Sequence, residues 1–164
     1  MKSPSNNHAL ALRSDGTLVA WGNNSYGQLN LPTGVKYTDV DAGTDFSLAI
    51  SEVPTGGTVS AAGRDDYGQV SNAPKGEDYY IAIEAADSTG TALTHNGTIM
   101  LWGKTLPGVP APTDAGYTDI ALGPDWGFAI KESTEELYVT GPLGPGEPVD
   151  CVEPSRIGAE VLIG

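Results

Sequence analysis

Basic side chains are scarce in this chain, and cysteine, histidine and long apolar runs are scarcer still. The 164 residues hold 8 Lys and Arg against 21 Asp and Glu, a net charge of −13. The cations (Lys2, Arg13, Lys36, Arg64, Lys75, Lys104, Lys131, Arg156) are scattered, with no cluster. That balance repels phosphate backbones and anionic headgroups, so neither nucleic acid nor a membrane is the expected partner. It suits a protein with a basic or mixed surface, or a cell-surface receptor. A single cysteine, Cys151, excludes an internal disulfide. Two histidines, His8 and His95, without cysteines beside them do not make a zinc site. Phosphate-cradling glycine loops and nucleophile elbows are absent from the sequence, so neither a cofactor nor an enzymatic activity is expected. No segment approaches membrane-spanning length. The first seven residues carry no apolar run, which predicts synthesis in a cytoplasm without a signal peptide.

Glycine and proline, by contrast, are plentiful, at 22 and 12 residues, and recur every few positions. No window long enough for a helix escapes them. What remains is a repeat. Leu18-Val19-Ala20-Trp21-Gly22 returns as Val59-Ser60-Ala61-Ala62-Gly63, as Ile99-Met100-Leu101-Trp102-Gly103, and more faintly as Leu137-Tyr138-Val139-Thr140-Gly141. The glycines of these phrases are separated by 41, 40 and 38 residues. A period in this range marks a stacked or circular array of one supersecondary unit. The units run approximately over 1–43, 44–86, 87–123 and 124–164, within a single domain.

Each unit has three extended segments. The first is Tyr37-Thr38-Asp39-Val40-Asp41-Ala42-Gly43, with relatives beginning at Tyr80 and Tyr117 and a fourth over residues 158–164. The second is small and apolar: His8-Ala9-Leu10-Ala11-Leu12, then segments ending at Ile50, Leu93 and Ile130. The third ends in the glycine phrase. Asp15-Gly16, Gly56-Gly57 and Asn96-Gly97 lie between second and third segments. Such pairs predict tight type I′ hairpin turns, with Gly16 and Gly97 at positive φ. In unit four the pair is replaced by Ser133-Thr134-Glu135-Glu136, which predicts a different turn. The expected fold is all-β, a β-propeller of four blades of about forty-one residues each. Residues 161–163 are expected to pair with Leu10-Ala11-Leu12. That closes the ring within one chain, or head to tail between two copies.

The pattern of His8-Ala9-Leu10-Ala11-Leu12, a hairpin, Trp21-Gly22-Asn23-Asn24-Ser25-Tyr26-Gly27-Gln28 and then Pro32 resembles the regulator-of-chromosome-condensation propeller repeat. Unit two keeps Gly63, Tyr67-Gly68-Gln69 and Pro74, with Ala62 for Trp. Unit three keeps Trp102-Gly103, and unit four keeps little beyond spacing. The repeat length is similar to that of the bacterial β-lactamase-inhibitor propellers of that superfamily. Such propellers usually close about seven blades, against four units here. The resemblance implies the fold; its functions range over nucleotide exchange, protein inhibition and light sensing.

In the resembled inhibitors, the loops entering the second strand lie on one rim and touch the partner. Here they bring acids beside large aromatics: Asp45 with Phe46, and Asp125 with Trp126. Exposed aromatics beside charged groups make binding anchors. The alternative for Phe46 and Trp126 is a place in the core, because both take the repeat His position. Tyr26 and Tyr67 either line the same surface or staple their loop, and Asp65 and Asp66 complete the set. Asp65-Asp66 followed by Gly68 lacks the spacing of a Ca²⁺ loop and reads more simply as a solvated turn. Trp21 and Trp102 are expected to pack between blades. The expected function is non-enzymatic recognition through rim loops, in a bacterial or phage protein with a virion surface as one setting. An inhibitor of an enzyme and a carbohydrate-binding module are the alternatives.

Overall fold

The computed structural model describes residues 8–52, 57–76, 78–104, 111–124 and 126–131, and the backbone of 136–140. Every regular element among them is a strand: β1 His8–Leu12, β2 Leu18–Gly22, β3 Tyr37–Ala42, β4 Phe46–Ser51, β5 Val59–Gly63, β6 Tyr80–Ala86, β7 Thr89–Thr94, β8 Ile99–Gly103, β9 Tyr117–Leu122, β10 Gly127–Lys131 and β11 Glu136–Thr140. They form four antiparallel sheets in chain order: β1-β2, β3-β4-β5, β6-β7-β8 and β9-β10-β11. This is the all-β architecture that the spacing of glycines and apolar triplets predicts. Each three-stranded sheet takes its first strand from the end of one sequence unit and the other two from the next. The pairing expected between residues 161–163 and β1 lies outside the described residues.

The core is laid between successive sheets. Strand β4 is buried on both faces. Its alternation sends Phe46, Leu48 and Ile50 against Tyr80, Ile83, Ala92 and Trp102 of the third sheet. Ala49 turns the other way, into a cluster with Leu31, Tyr37 and Ala62, against which Leu10, Leu12 and Leu18 of the first sheet pack. Leu93 and Ile99 meet Tyr117, Ile120 and Ala129 of the fourth sheet. A strand that must fill both of its faces admits only small or apolar side chains, which is why the second segment reads as it does.

The joint between sheets is repeated. Tyr37, Tyr80 and Tyr117, each buried at the start of an inner strand, donate their backbone N–H to a hairpin glycine of the preceding sheet. The acceptors are Gly16 at 2.8 Å, Gly57 at 3.3 Å and Gly97 at 3.1 Å. The pairing register shifts near that tyrosine in all three sheets. One extra residue there bends the inner strand as it leaves the joint.

The turns differ from expectation. Gly16 and Gly97 do stand at φ 81°, but neither Asp15 nor Asn96 has positive φ, so these are not type I′ turns. Gly16 N–H donates to Arg13 C=O at 2.9 Å, and Arg13 N–H to Thr17 C=O at 3.0 Å. Gly97 and Thr94 repeat the pattern with Thr98. These are three-residue loops, a type I turn followed by a left-handed glycine. The physical reason is local. The Asp15 carboxylate accepts the Thr17 N–H at 3.0 Å and its hydroxyl at 2.7 Å, which holds the turn one residue longer. The turn expected at residues 133–135 lies outside the described residues.

Candidate functional site

The third strands β2, β5 and β8 each end on a glycine at positive φ: Gly22, Gly63 and Gly103. A Cβ on Gly63 would lie 2.4 Å from the Asp45 carbonyl, and one on Gly103 2.3 Å from that of Ser88. Only glycine lets the strand end press on the hairpin joining first and second strands of its own sheet. The next residue then bonds to that hairpin, Arg64 N–H to Asp45 C=O at 2.9 Å and Lys104 N–H to Ser88 C=O at 3.0 Å. A basic side chain thus leaves the same rim in two successive sheets.

The loops that follow fold alike in the first two sheets. Asn24 Oδ1 accepts the Leu29 N–H at 2.8 Å, and Asp65 Oδ1 accepts those of Val70 and Ser71 at 2.9 Å. Gln28 Oε1 turns back to the Tyr26 N–H at 3.0 Å, and Gln69 Oε1 to that of Tyr67 at 2.9 Å. The glutamines are fully buried, while Tyr26 and Tyr67 are pushed into solvent. The hydrogen bonds from the Ser71 and Val70 N–H groups hold the Asp65 carboxyl below its ordinary range.

Arg64 ties the two loops together. Its Nε donates to Asp66 Oδ2 at 2.6 Å, its Nη1 lies 3.4 Å from Asp45 Oδ2, and its guanidinium sits 5.1 Å from the centroid of the Tyr26 ring. The hydrogen bond and charge of Asp66 raise the Arg64 pKa; a guanidinium stays charged in any case. Next along the rim, Lys104 pairs with Asp87 at 3.1 Å, and the Asp87 carbonyl accepts the Thr44 N–H at 3.0 Å. The rim therefore alternates basic and acidic groups among exposed tyrosines.

The eight residues expected to bind a partner divide. Tyr26, Tyr67 and Asp66 are exposed on the rim, and Arg64 brings Tyr26 and Asp66 together with Asp45. Phe46 is corrected to core: it is 0% exposed, with its ring lying over Gly43, where a Cβ would come within 2.2 Å. Asp45 is also buried and presents its carboxylate to Arg64 rather than to solvent. Asp65 is corrected to a loop former, since its carboxylate is taken by its own loop. Asp125 lies outside the described residues. Trp126 occupies Phe46's position on the fourth sheet, over Gly123 and tilted against Phe128 at 4.7 Å, but is 42% exposed. Arg64 is not among the residues expected from the sequence, because a lone cation in an acidic chain reads as scatter. Its place after Gly63, matching Lys104 after Gly103, is the available signal.

A second set of acids lines the inner strands. Asp39 and Asp41 of β3 reach across to β6, accepting the Ile83 N–H at 3.2 Å and the Ala85 N–H at 2.6 Å. Between those two residues stands Glu84. Burial, and then the charges of Asp41, Asp39 and Asp119, raise its pKa to about 7. Among the described residues no three His, Cys, Asp or Glu side chains converge as metal donors.

Stacked antiparallel sheets joined through a repeated hairpin and bearing similarly folded loops on one rim define a repeat β-propeller. Within that class the fold is RCC1-like. Residues 5–28 match the Regulator of chromosome condensation (RCC1) repeat. The yeast RCC1 protein Prp20, solved bound to Kap60, is similar with a TM-score of 0.67 and 18% identity over 92% of this chain and 46% of that one. Human WBSCR16 is similar with a TM-score of 0.68 and 18% identity over 88% and 48%. The ectodomain of the receptor kinase CR4 from Physcomitrella patens is similar with a TM-score of 0.69 and 16% identity over 84% and 39%. The chain spans less than half the length of each of these three structures. None of them is a β-lactamase-inhibitor propeller. No curated protein matches the chain in sequence.

Proposed function

We propose that the chain is a non-enzymatic recognition propeller that binds a partner protein through the rim carrying Tyr26, Arg64, Asp66 and Tyr67. The observation that carries this reading is the Arg64 bridge. It holds exposed tyrosine, guanidinium and carboxylate groups from two consecutive loops in one fixed patch. Tyrosine and arginine supply the large contact area and directed hydrogen bonds that dominate binding energy at protein interfaces. The patch rests on loops whose buried glutamines fix their shape, so little ordering is needed on binding. The net charge of −13 favours a partner with a basic or mixed surface. Yeast Prp20, similar in fold, has been solved with Kap60 bound and characterised for binding Gsp1p and histones. Macromolecular binding is within the reach of this architecture.

The test is affinity capture with the intact chain and with a Tyr26→Ala/Tyr67→Ala variant, followed by calorimetry on the captured partner. The expected result is that the variant keeps its circular dichroism spectrum and loses the partner. Equal capture and equal affinity by both proteins would refute the rim.

A further inference from the structure

We propose a second, separate binding site: a groove on the outer edge of the first sheet that takes an extended segment of a partner protein as an added β-strand. The groove has a volume of about 420 Å³ and runs between β2 and the loop leading to β3. Leu18, Ala20, Leu29 and Leu31 line it, Val35 forms part of its wall, and Lys36 is the one charged residue among those lining it. Its volume falls in the range of ligand sites.

The register of the first sheet says which backbone groups of β2 lie along its outer edge, beside the residues that line this groove. Arg13 N–H donates to Thr17 C=O, so the pairs bonded to each other are Arg13 with Thr17 and, two residues on, Ala11 with Val19 and Ala9 with Trp21. Leu18 and Ala20 consequently turn their N–H and C=O groups away from β1, toward the outer edge. Among the described residues no strand pairs with that edge. A strand edge with free donors and acceptors beside an apolar trough is the arrangement that accepts an extended peptide. The backbone supplies affinity and alternate side chains supply specificity.

The charge of the groove selects its occupant. In a chain of net charge −13 the residues lining this trough include no acid and one exposed lysine. A segment with aliphatic side chains at every second position, ending in a carboxylate beside Lys36, complements it. The groove shares no residue with the Tyr26–Arg64 rim, so the two sites can be separated by mutation.

The probe is an N-terminally blocked peptide, Val-Thr-Val-Thr-Val-Asp, titrated into the intact ¹⁵N-labelled chain. Saturable shifts at the amides of Leu18 and Ala20, with slowed hydrogen exchange there, are expected. Lys36→Glu should weaken the peptide roughly fivefold, the scale of an exposed charge contact. Ala20→Pro, which removes one outward N–H, should abolish binding. If that variant does not fold, Val35→Asp, which charges the wall, replaces it with the same expectation. Tyr26→Ala should leave the peptide affinity unchanged. Absence of saturable shifts at Leu18 and Ala20 would overturn the proposal. So would equal binding of a peptide with serine for every valine, or equal affinity in Lys36→Glu.

Discussion

Trp21 and Trp102 stand at the same position of the third strand, and the structure treats them oppositely. Trp102 is 8% exposed, Trp21 53%. The Trp102 ring lies over Gly90, where a Cβ would come within 2.6 Å, and its Nε1 donates to the Gln69 carbonyl at 3.0 Å. The loop of the preceding sheet roofs the indole. In the second sheet the matching pair is Ser47 and Ala62. There the Ser47 hydroxyl donates to the Gln28 carbonyl at 2.7 Å and His8 Nε2 lies 2.8 Å from the same hydroxyl. The hydroxyl's one proton goes to the carbonyl, so His8 Nε2 is the donor. Two neighbouring sheets thus satisfy equivalent buried glutamine carbonyls, Gln28 and Gln69, from different strands. A glycine–tryptophan pair and a serine–alanine pair are alternative answers to one packing requirement, and exchanging half of either pair breaks it.

The sharpest way to break this comparison is truncation. Trp102→Ala should cost about 4 kcal/mol in chemical denaturation, because it opens a cavity and strands the Gln69 carbonyl. Trp21→Ala should cost less than about 1 kcal/mol, the effect of an exposed site. Similar costs would mean that position in the strand, rather than the covering loop, decides the contribution.

A double-mutant cycle tests the exchange itself. Gly90→Ser should destabilise by about 3 kcal/mol through overpacking against the indole. In the Trp102→Ala background it should cost much less, because that combination recreates the second sheet's pair with room for the new hydroxyl. Additive costs would show that the two positions are independent.

The hairpin glycines carry the same contrast. A Cβ on Gly97 would come within 2.5 Å of the Gly116 backbone nitrogen, whereas at Gly16 the nearest atom is the Lys36 Cβ at 3.1 Å. Gly97→Ala should therefore lower stability by about 2 kcal/mol and Gly16→Ala by about 1 kcal/mol, the latter being mainly the positive-φ cost with a small shift of Lys36. Equal shifts in melting temperature would remove the role assigned to the joint with Tyr117.

A further effect, confined to part of the pH range, is expected at the inner strands. The Glu84 pKa is raised to about 7 in the folded chain, first by burial and then by Asp41, Asp39 and Asp119. The folded state therefore holds this proton where the unfolded chain has released it. Stability from this group is full at pH 4.5 and below, and is lost as pH rises toward 7. His8 works in the opposite direction: burial lowers its pKa, so its contribution is lost as pH falls below 6.5. Glu84→Gln isolates the first effect. It should raise stability at pH 8 by about 1–2 kcal/mol after discounting for partial solvent screening, and leave stability at pH 4 nearly unchanged. An identical pH profile in both proteins would show that neither burial nor the neighbouring carboxylates raise the Glu84 pKa.

Much of the architecture was legible from local chemistry. The period set by Gly22, Gly63 and Gly103, the small apolar second strands and the tyrosine opening each inner strand are properties of single segments. Alternation and turn chemistry act over a few residues. The Tyr-Gly-Gln loop was legible for the same reason: Gln28 and Gln69 bond within their own loops. Even the hairpins differ from the expected turn by only one residue, since Asp15 and Asn96 suit more than one turn.

Among the described residues the sequence by itself therefore determined the strands, their order and the Tyr-Gly-Gln loops. Tertiary structure alone decided which of two equivalent residues is covered: Phe46 rather than Trp126, and Trp102 rather than Trp21. It also decided that Arg64 joins Tyr26 to Asp66 and that Asp39 and Asp41 cap the edge of β6. Those outcomes depend on partners tens of residues away, and burial is set by what the neighbouring sheet lays on top.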